Sequence, residues 1–319
     1  MEDSNTGRDT GRDTGSDSTD EVPDTDPVVR ALERARQARP LSDGGVILAA
    51  TPLGNPLDAS VRLIDALGSA DVIAAEDTRR TRALADALGV EISGKIVSNF
   101  DHNEADRAAG LVARAAAGAR VLVVTDAGMP AVSDPGFPLV QAAQEAGVPV
   151  TCLPGPSAVP TALALSGVGV GHFAFDGFAP RKDGARRQWL ESVRDSPRAV
   201  SFFESPHRLA TTLSTAAEVC GEDREAAVCR ELTKTYEEVV RGPLGELARW
   251  ASDGVRGEIT VVISASPGPV VRDPGELVGE VEQKVGEGTR MKDATREVAA
   301  AHGVSRRELY EAVLAARGD

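Results

Sequence analysis

Aromatic side chains are scarce: seven Phe, two Tyr and two Trp in 319 residues, 3% of the chain. A core with so few rings has to be built from Val, Leu, Ile and Ala, which favours stacked α/β layers over an aromatic-rich β-sandwich. Cysteine is as rare. Cys152, Cys220 and Cys229 form no CxxC pair and three thiols cannot all pair, so no disulfide framework is expected and a reducing, cytoplasmic setting fits best. The four histidines, His102, His172, His207 and His302, lack metal-ligand spacing, so no metal site is expected. No stretch of about 18 apolar residues occurs and the acidic amino terminus has no apolar h-region, so neither membrane insertion nor secretion is expected.

Net positive charge is also missing. The formal charge of −14 argues against a generic nucleic-acid coat. It is unevenly placed, however. Residues 1–29 hold nine acids and two arginines, 2 − 9 = −7, half the total. That stretch, with its GRDTGRDTG repeat, has too few apolar residues to offset ordering entropy and reads as a disordered tail. Its field is screened beyond about 8 Å at physiological salt, so basic patches elsewhere remain free to meet RNA.

What remains is long enough for two α/β domains with mainly parallel, then mixed, sheets and a small helical extension. The expected division is an acidic tail at 1–43, an N-terminal α/β domain at 44–154, a C-terminal α/β domain at 155–268 and a helical region at 269–319. A short helix is expected over 28–39. Strands are expected at Val46–Ala50, Asp71–Ala75, Lys95–Ser98, Arg120–Val124 and Val148–Leu153, then at Phe173–Phe178, Ala199–Phe203, Ala226–Arg230 and Ile259–Ile263, the last closing its sheet.

The organising stretch is TDAGMPAVSDPGFPLV, residues 125–140. Asp126 falls at the carboxyl end of a buried strand, the edge that faces the ligand crevice in an open parallel sheet. Gly128 and Pro130 force a non-repeating backbone whose amides and carbonyls stay available to a ligand. Ser133 or Asp134 is expected to cap the next helix, with Pro135 in its first position. Other strand ends are polar too: TPLGN at 51–55, EDTRRT at 76–81, NFDHNE at 99–104 and ESPHR at 204–208. The acids of EDTRRT suit either a substrate-facing edge or an exposed first helical turn. Arg181, Lys182, Arg186 and Arg187 cluster before Trp189, which suits phosphate and base contacts or simply a solvated helix start. GVGVG at 167–171 follows a helix and does not qualify as a dinucleotide fingerprint. Three short helices are expected after Asp273, with Ser305 and Glu308 at capping-box spacing. Their basic residues leave a helical docking domain and an RNA contact both open.

In order along the chain, ATPLGN, AEDTRRT, HNE, TDAGMPAVSDPG, LPGPSA, GFAPRK, ESPHRL, RELTKTYEE and GEITVVI resemble the small-subunit rRNA methyltransferase I family of the tetrapyrrole-methylase (class III methyltransferase) superfamily. The match runs from Val46 to Ile263, with a looser one over the last helices. It departs at Met129, where the family usually has Thr, and at Pro56, where it usually has an aliphatic residue. The resemblance implies S-adenosylmethionine as methyl donor, bound in a cleft between two α/β domains. It also implies a homodimer and 2′-O-methylation of a cytidine in 16S rRNA within the small ribosomal subunit. Implied cofactor-binding residues are Pro52, Leu53, Gly54, Asn55, Asp126, Ala127, Gly128, Ser133, Asp134, Pro154, Gly155, Ser157 and Ala158. From the second half come Phe203, Glu204, Ser205, Glu258, Ile259 and Thr260. A general base, where one is used, is sought among Glu76, His102, Glu104, Glu204 and His207, since each lies in a polar loop expected to face the cleft. RNA contacts are expected from Arg79, Arg80, Arg181, Lys182, Arg186, Arg187, Arg306 and Arg307. Against this stand a tetrapyrrole or other small-molecule methylase of the same fold, and a non-catalytic RNA-binding module.

Overall fold

The computed structural model describes residues 27–38, 44–99, 104–133, 136–168, 171–266 and 273–318. The chain divides into two compact units, Met1–Leu41 and Ser42–Asp319. In the first, the described part is one helix, α1 (Pro27–Ala38), within a residue of the expected span. The acidic tail at 1–26 lies outside the described residues.

In the second unit, five apolar runs form a parallel sheet: β1 (Gly45–Ala49), β2 (Val72–Ala75), β3 (Lys95–Ser98), β4 (Arg120–Val124) and β5 (Val150–Leu153), in spatial order β3-β2-β4-β1-β5. Between them run α2 (Val61–Ser69), α3 (Thr78–Ala87), α4 (Glu104–Ala116) and α5 (Phe137–Glu145). Val46, Val72, Ala74, Val121 and Val123 pack against Leu111 and Val112 of α4 and Leu139 of α5. The alternate residues Ile47, Ile73 and Leu122 are equally buried on the other face. Burial on both faces is why these strands read as continuous apolar runs. Chain order fixes the site. From β1 the chain crosses past β4 to reach β2, whereas from β4 it crosses past β1 to reach β5. The neighbours β1 and β4 therefore send their loops in opposite directions and leave a crevice at their carboxyl ends.

After α6 (Ala158–Ser166) comes a second, mixed sheet of β6 (Phe173–Phe178), β7 (Ala199–Glu204), β8 (Glu225–Arg230), β9 (Glu238–Pro243) and β10 (Ile259–Ile263). Its order is β6-β7-β10-β8-β9, with β6 and β7 parallel and the other pairs antiparallel. Two expectations need correction. Ile259–Ile263 does not close this sheet but forms its centre, paired with β7 on one side and β8 on the other, as five consecutive buried residues allow. The stretch after Arg230 also contains an edge strand, β9, whose sequence EVVRGP has too little apolar alternation to announce itself. Helices α7 (Asp183–Arg194), α8 (Pro206–Cys220) and α9 (Leu244–Ser252) cover one face around Phe202, Leu213 and Val261. The other face packs Cys229 and Val262 against Ala162 of α6, and against Leu53 and Ala127 from the loops of the first sheet. That cluster joins the carboxyl ends of the first sheet to the second.

The start of α5 also differs from expectation. Its cap is Gly136, at φ 137° and with no side-chain hydrogen bond, and Pro138 rather than Pro135 lies in its first turn. Ala131 and Ser133 take left-handed φ values of 65° and 66°, so the loop curls back and the helix begins later. Asp134 and Pro135 lie outside the described residues. At the carboxyl end α10 (Val278–Gly286), α11 (Met291–His302) and α12 (Arg306–Arg317) enclose a core of their own around Val281, Val298 and Leu309. Ser305 caps α12 by accepting the Glu308 N–H. No described helix is long and apolar enough to cross a membrane.

Candidate active site

The crevice between β1 and β4 opens into a cavity of about 370 Å³ whose far wall comes from the second sheet. From the first sheet it is lined by Leu53, Glu76, Arg80 and Asp126 to Met129; Ser157 and Ala158 follow at the start of α6. From the second sheet come Phe203 to Pro206 and Gly257 to Thr260. The two first-sheet loops are tied by a backbone bridge, Thr51 N–H to Gly128 O at 2.9 Å and Gly128 N–H to Thr51 O at 3.0 Å. Thr51 Oγ1 adds a bond to the Thr125 carbonyl at 3.1 Å. Gly128 sits at φ 86°, where a Cβ would also stand 3.3 Å from Leu53 Cδ2, so this position requires glycine.

Asp126 is the centre of a charged network at the ends of β2 and β4. Its Oδ1 accepts the Asp77 N–H at 3.1 Å, its own N–H donates to Glu76 Oε2 at 3.0 Å, and Arg80 Nη1 stands 3.4 Å from Oδ2. Burial pushes the Asp126 carboxyl above its ordinary value; Arg80 and the Asp77 amide oppose that rise, and the Asp77 and Glu258 charges add to it. The adjacent Asp77 caps α3 and is held down at about 2 by its hydrogen bonds with Arg79.

On the opposite wall, Glu204 is wholly buried. Its carboxylate accepts the Ser205 N–H at 2.7 Å and the Thr212 hydroxyl at 2.6 Å, and pairs with Arg208 at 2.5 Å. Arg208 also donates to Ala179 O at 3.1 Å, clamping the end of β6 to the end of β7. Glu258 is placed by Lys234, whose Nζ lies 3.1 Å from Glu258 and 2.9 Å from Glu231. Glu231 in turn accepts the Glu258 N–H at 2.9 Å. The Lys234 stem fills the space under Gly54, where a Cβ would come within 2.1 Å of its Cγ. Asn55 N–H donates to Thr233 Oγ1 at 3.2 Å, so TPLGN and ELTK form one packed unit.

Of the residues implied for the cofactor, Leu53, Asp126 to Gly128, Ser157, Ala158, Phe203 to Ser205 and Glu258 to Thr260 are brought together on this cavity. Pro52 lies instead in a small neighbouring pocket with Thr125 and Arg80. Gly54, Asn55, Ser133, Pro154 and Gly155 shape the surrounding loops without lining it, and Asp134 lies outside the described residues. Among the described candidate bases, Glu76 and Glu204 line the cavity, and Glu76 is half-buried and accepts the Asp126 N–H through Oε2. Glu204 is committed to three partners. His207 is exposed in the first turn of α8, off the lining. His102 and the Glu104 side chain lie outside the described residues.

Met129, noted in the sequence as a departure from the family, lines the cavity, as do Val132, Phe178, Pro206, Leu232 and Gly257, which are not among the residues implied from sequence. These five sit inside or beside the strings that carry the family resemblance, the one sequence signal pointing to them.

The expected RNA-facing residues separate. Arg79 and Arg80 lie in the first turn of α3, and Arg80 lines the cavity. Cations there oppose the helix dipole, an arrangement that local stability does not favour. Arg181, Lys182 and Arg306 are exposed; Arg187 pairs with Glu218, and Arg307 with Glu311. Arg186 departs from expectation: only 3% exposed and bound to Asp183 at 2.6 Å, it is part of the packing of α7 and is withheld from any RNA.

A family model described as tetrapyrrole (corrin/porphyrin) methylases matches residues 45–248. The ribosomal RNA small subunit methyltransferase I of Mycobacterium bovis is 56% identical over 279 residues, covering 87% of this chain and 97% of that protein. Its namesake from Escherichia coli O157:H7 is 35% identical over 288 residues, covering 89% and 100%. Among solved structures, the methyltransferase CobJ superposes with a TM-score of 0.54 at 22% identity, over 70% of this chain and 94% of that one. With the crevice at the β1/β4 switch point and the wall supplied by the mixed sheet, these matches assign the chain to the tetrapyrrole methylase family, whose members are S-adenosylmethionine-dependent methyltransferases.

Proposed function

We propose that the chain transfers a methyl group from S-adenosylmethionine to the 2′-hydroxyl of a cytidine in 16S rRNA of the small ribosomal subunit. The observation that carries this reading is an acid-walled, apolar-floored cavity directly beneath a basic helical turn. The cavity suits a compact cationic donor, and the turn suits a polyanionic acceptor. The names of the relatives, at up to 56% identity over most of the chain, support the same substrate class.

The residues present fit the donor. About 370 Å³ falls in the range of small-ligand sites. Leu53, Ala127, Leu232 and Phe203 offer apolar surface to an adenine, and Asp126 and Glu258 offer negative charge to a cation. Asp126, raised by burial, gains from any positive group placed beside it. When bound, S-adenosylmethionine supplies a methyl group already activated on a cationic sulfur.

The chain's own work is to align, to desolvate and to receive a proton. Holding acceptor oxygen and methyl carbon in line contributes on the order of 7 to 11 kcal/mol. The buried Leu53 and half-buried Phe203 offer the apolar surface that would keep water from the reacting atoms. Glu76, anchored through Oε2 on the Asp126 N–H, is the carboxylate positioned to take the ribose proton, for about a hundredfold to ten-thousandfold. Arg79, Arg80, Arg181 and Lys182 hold the phosphates, and Arg306 and Arg307 of α12 extend the same role. We further read the two sheets as domains 44–154 and 155–268 of a cytoplasmic homodimer.

Incubation with methyl-labelled S-adenosylmethionine and small ribosomal subunits, naked 16S rRNA or a porphyrinogen tests the reading. Label on a cytidine ribose, found by nuclease digestion and mass spectrometry, is the expected result. Label on the porphyrinogen alone overturns it.

A further inference from the structure

The Asp126–Arg80 pair joins the two binding functions proposed above. Both side chains line the cavity, and both also line the small pocket beneath it. One Asp126 oxygen is fixed by the Asp77 amide, while the other faces Arg80 at 3.4 Å. The Arg80 side chain is 62% exposed and long, and among the described residues its charged partner is Asp126. Its neighbour Arg79 is different: it is held by Asp77, the helix cap, at 3.1 Å and is 87% exposed, outside the cavity lining. Arg80 is therefore the rim cation whose partner is the carboxylate that a cationic ligand would approach.

Two cations compete for one carboxylate oxygen at such a site. Like charges brought together in a partly desolvated cavity repel, and the side chain that swings to solvent yields to a ligand held on several sides. Once released, the guanidinium projects from the first turn of α3. The nearest use for a bidentate cation there is a phosphate.

We propose that Arg80 senses the charge of the methyl donor: in the donor-free protein it neutralises Asp126, and a cationic donor displaces it onto a phosphate of the RNA, so that donor and RNA bind cooperatively. This rests on the methyltransferase reading of the site. It also gives the cycle a direction. In transfer the sulfur–methyl bond breaks with its electron pair going to sulfur, the oxygen–methyl bond forms, and the hydroxyl proton goes to the cavity base. The spent donor has lost one positive charge, Arg80 returns to Asp126, and the RNA is released.

The test is the affinity for a labelled, cytidine-containing single-stranded RNA oligonucleotide, measured over a range of salt. It is made without ligand, with sinefungin, which keeps a cationic centre in place of the sulfonium, and with S-adenosylhomocysteine, which does not. In the unmodified protein sinefungin is expected to tighten RNA binding by about 5-fold or more, and to steepen the dependence of log K on log salt by about 0.7, one phosphate contact. S-adenosylhomocysteine is expected to do markedly less. Arg80→Gln removes the difference between the two ligands, whereas Arg79→Gln lowers RNA affinity equally with and without them. Asp126→Asn tightens RNA binding in the absence of any ligand, because Arg80 then has nothing to neutralise.

Full donor-dependent tightening in Arg80→Gln, or equal tightening by the two ligands in the unmodified protein, overturns the proposal while leaving the methyltransferase reading intact. Failure of the unmodified protein to bind sinefungin by calorimetry overturns both.

Discussion

Glu204 and Thr212, eight residues apart, meet at 2.6 Å between Oε2 and Oγ1, where both side chains are buried. This bond fixes the carboxylate so that its other oxygen can hold Arg208 and the Ser205 amide. The charged string ESPHR is thus a buckle between β7, α8 and the end of β6. Glu204→Gln is expected to cost about 1 to 3 kcal/mol in urea unfolding, because buried donors lose their acceptor. Whatever activity remains should keep the parent's pH profile, which a role as general base would not allow.

Asp126 is expected to have opposite effects on stability and on donor binding. Its carboxyl is raised, so ionising it costs the folded protein more than the unfolded chain. That penalty is present above the raised value and disappears as pH falls through it. Asp126→Asn is therefore expected to raise the melting temperature of the donor-free protein at pH 7. The same substitution should weaken S-adenosylmethionine binding by roughly tenfold, about 1.4 kcal/mol. In the unmodified protein, donor affinity should fall as pH drops through the Asp126 titration, from above the ordinary 3.8 downward, and calorimetry at stepped pH reads it.

Arg186 and its neighbours Arg181 and Lys182 should separate by assay. Arg186→Ala removes a buried, ion-paired side chain and is expected to lower stability by about 1 to 3 kcal/mol, seen in the unfolding midpoint. The double change of Arg181 and Lys182 to Ala leaves the midpoint in place. It should instead reduce the salt slope of RNA binding by about 1.4, two phosphate contacts.

Gly54→Ala tests the joint between the two sheets. The new Cβ would overlap the Lys234 stem near Cγ, so the lysine must move and lose Glu231 and Glu258. The expected cost is about 1 to 3 kcal/mol of stability, with a KM increase for the donor larger than any change in kcat. Lys234→Met, which keeps the stem and removes the charge, should reproduce the KM effect alone.

Sequence patterns served well where one physical demand dominated. Strands β4 and β10 were legible to the residue because burial on both faces leaves short, nearly continuous apolar runs, and the partly exposed β3 and β6 were placed as closely by their β-branched and aromatic residues. Asp126 was legible as a crevice residue from its place at a strand end. Arg186 was not, since its burial depends on Asp183 one turn earlier and on a core that no local pattern reveals. Lys234 was missed because its role is set by Gly54 and Glu258, far away in the chain. The start of α5 was misplaced because Ala131 and Ser133 adopt left-handed backbone that composition does not advertise.

The central place of β10 bears on how the molecule is born. Until residues 259–263 leave the ribosome, β7 and β8 have no partner between them, and two raw edges of the mixed sheet stay exposed. Ile259 and Thr260 also line the cavity, so its wall is completed only after this strand has emerged. A nascent chain halted before that strand would lack part of the cavity wall and carry two sheet edges prone to stick.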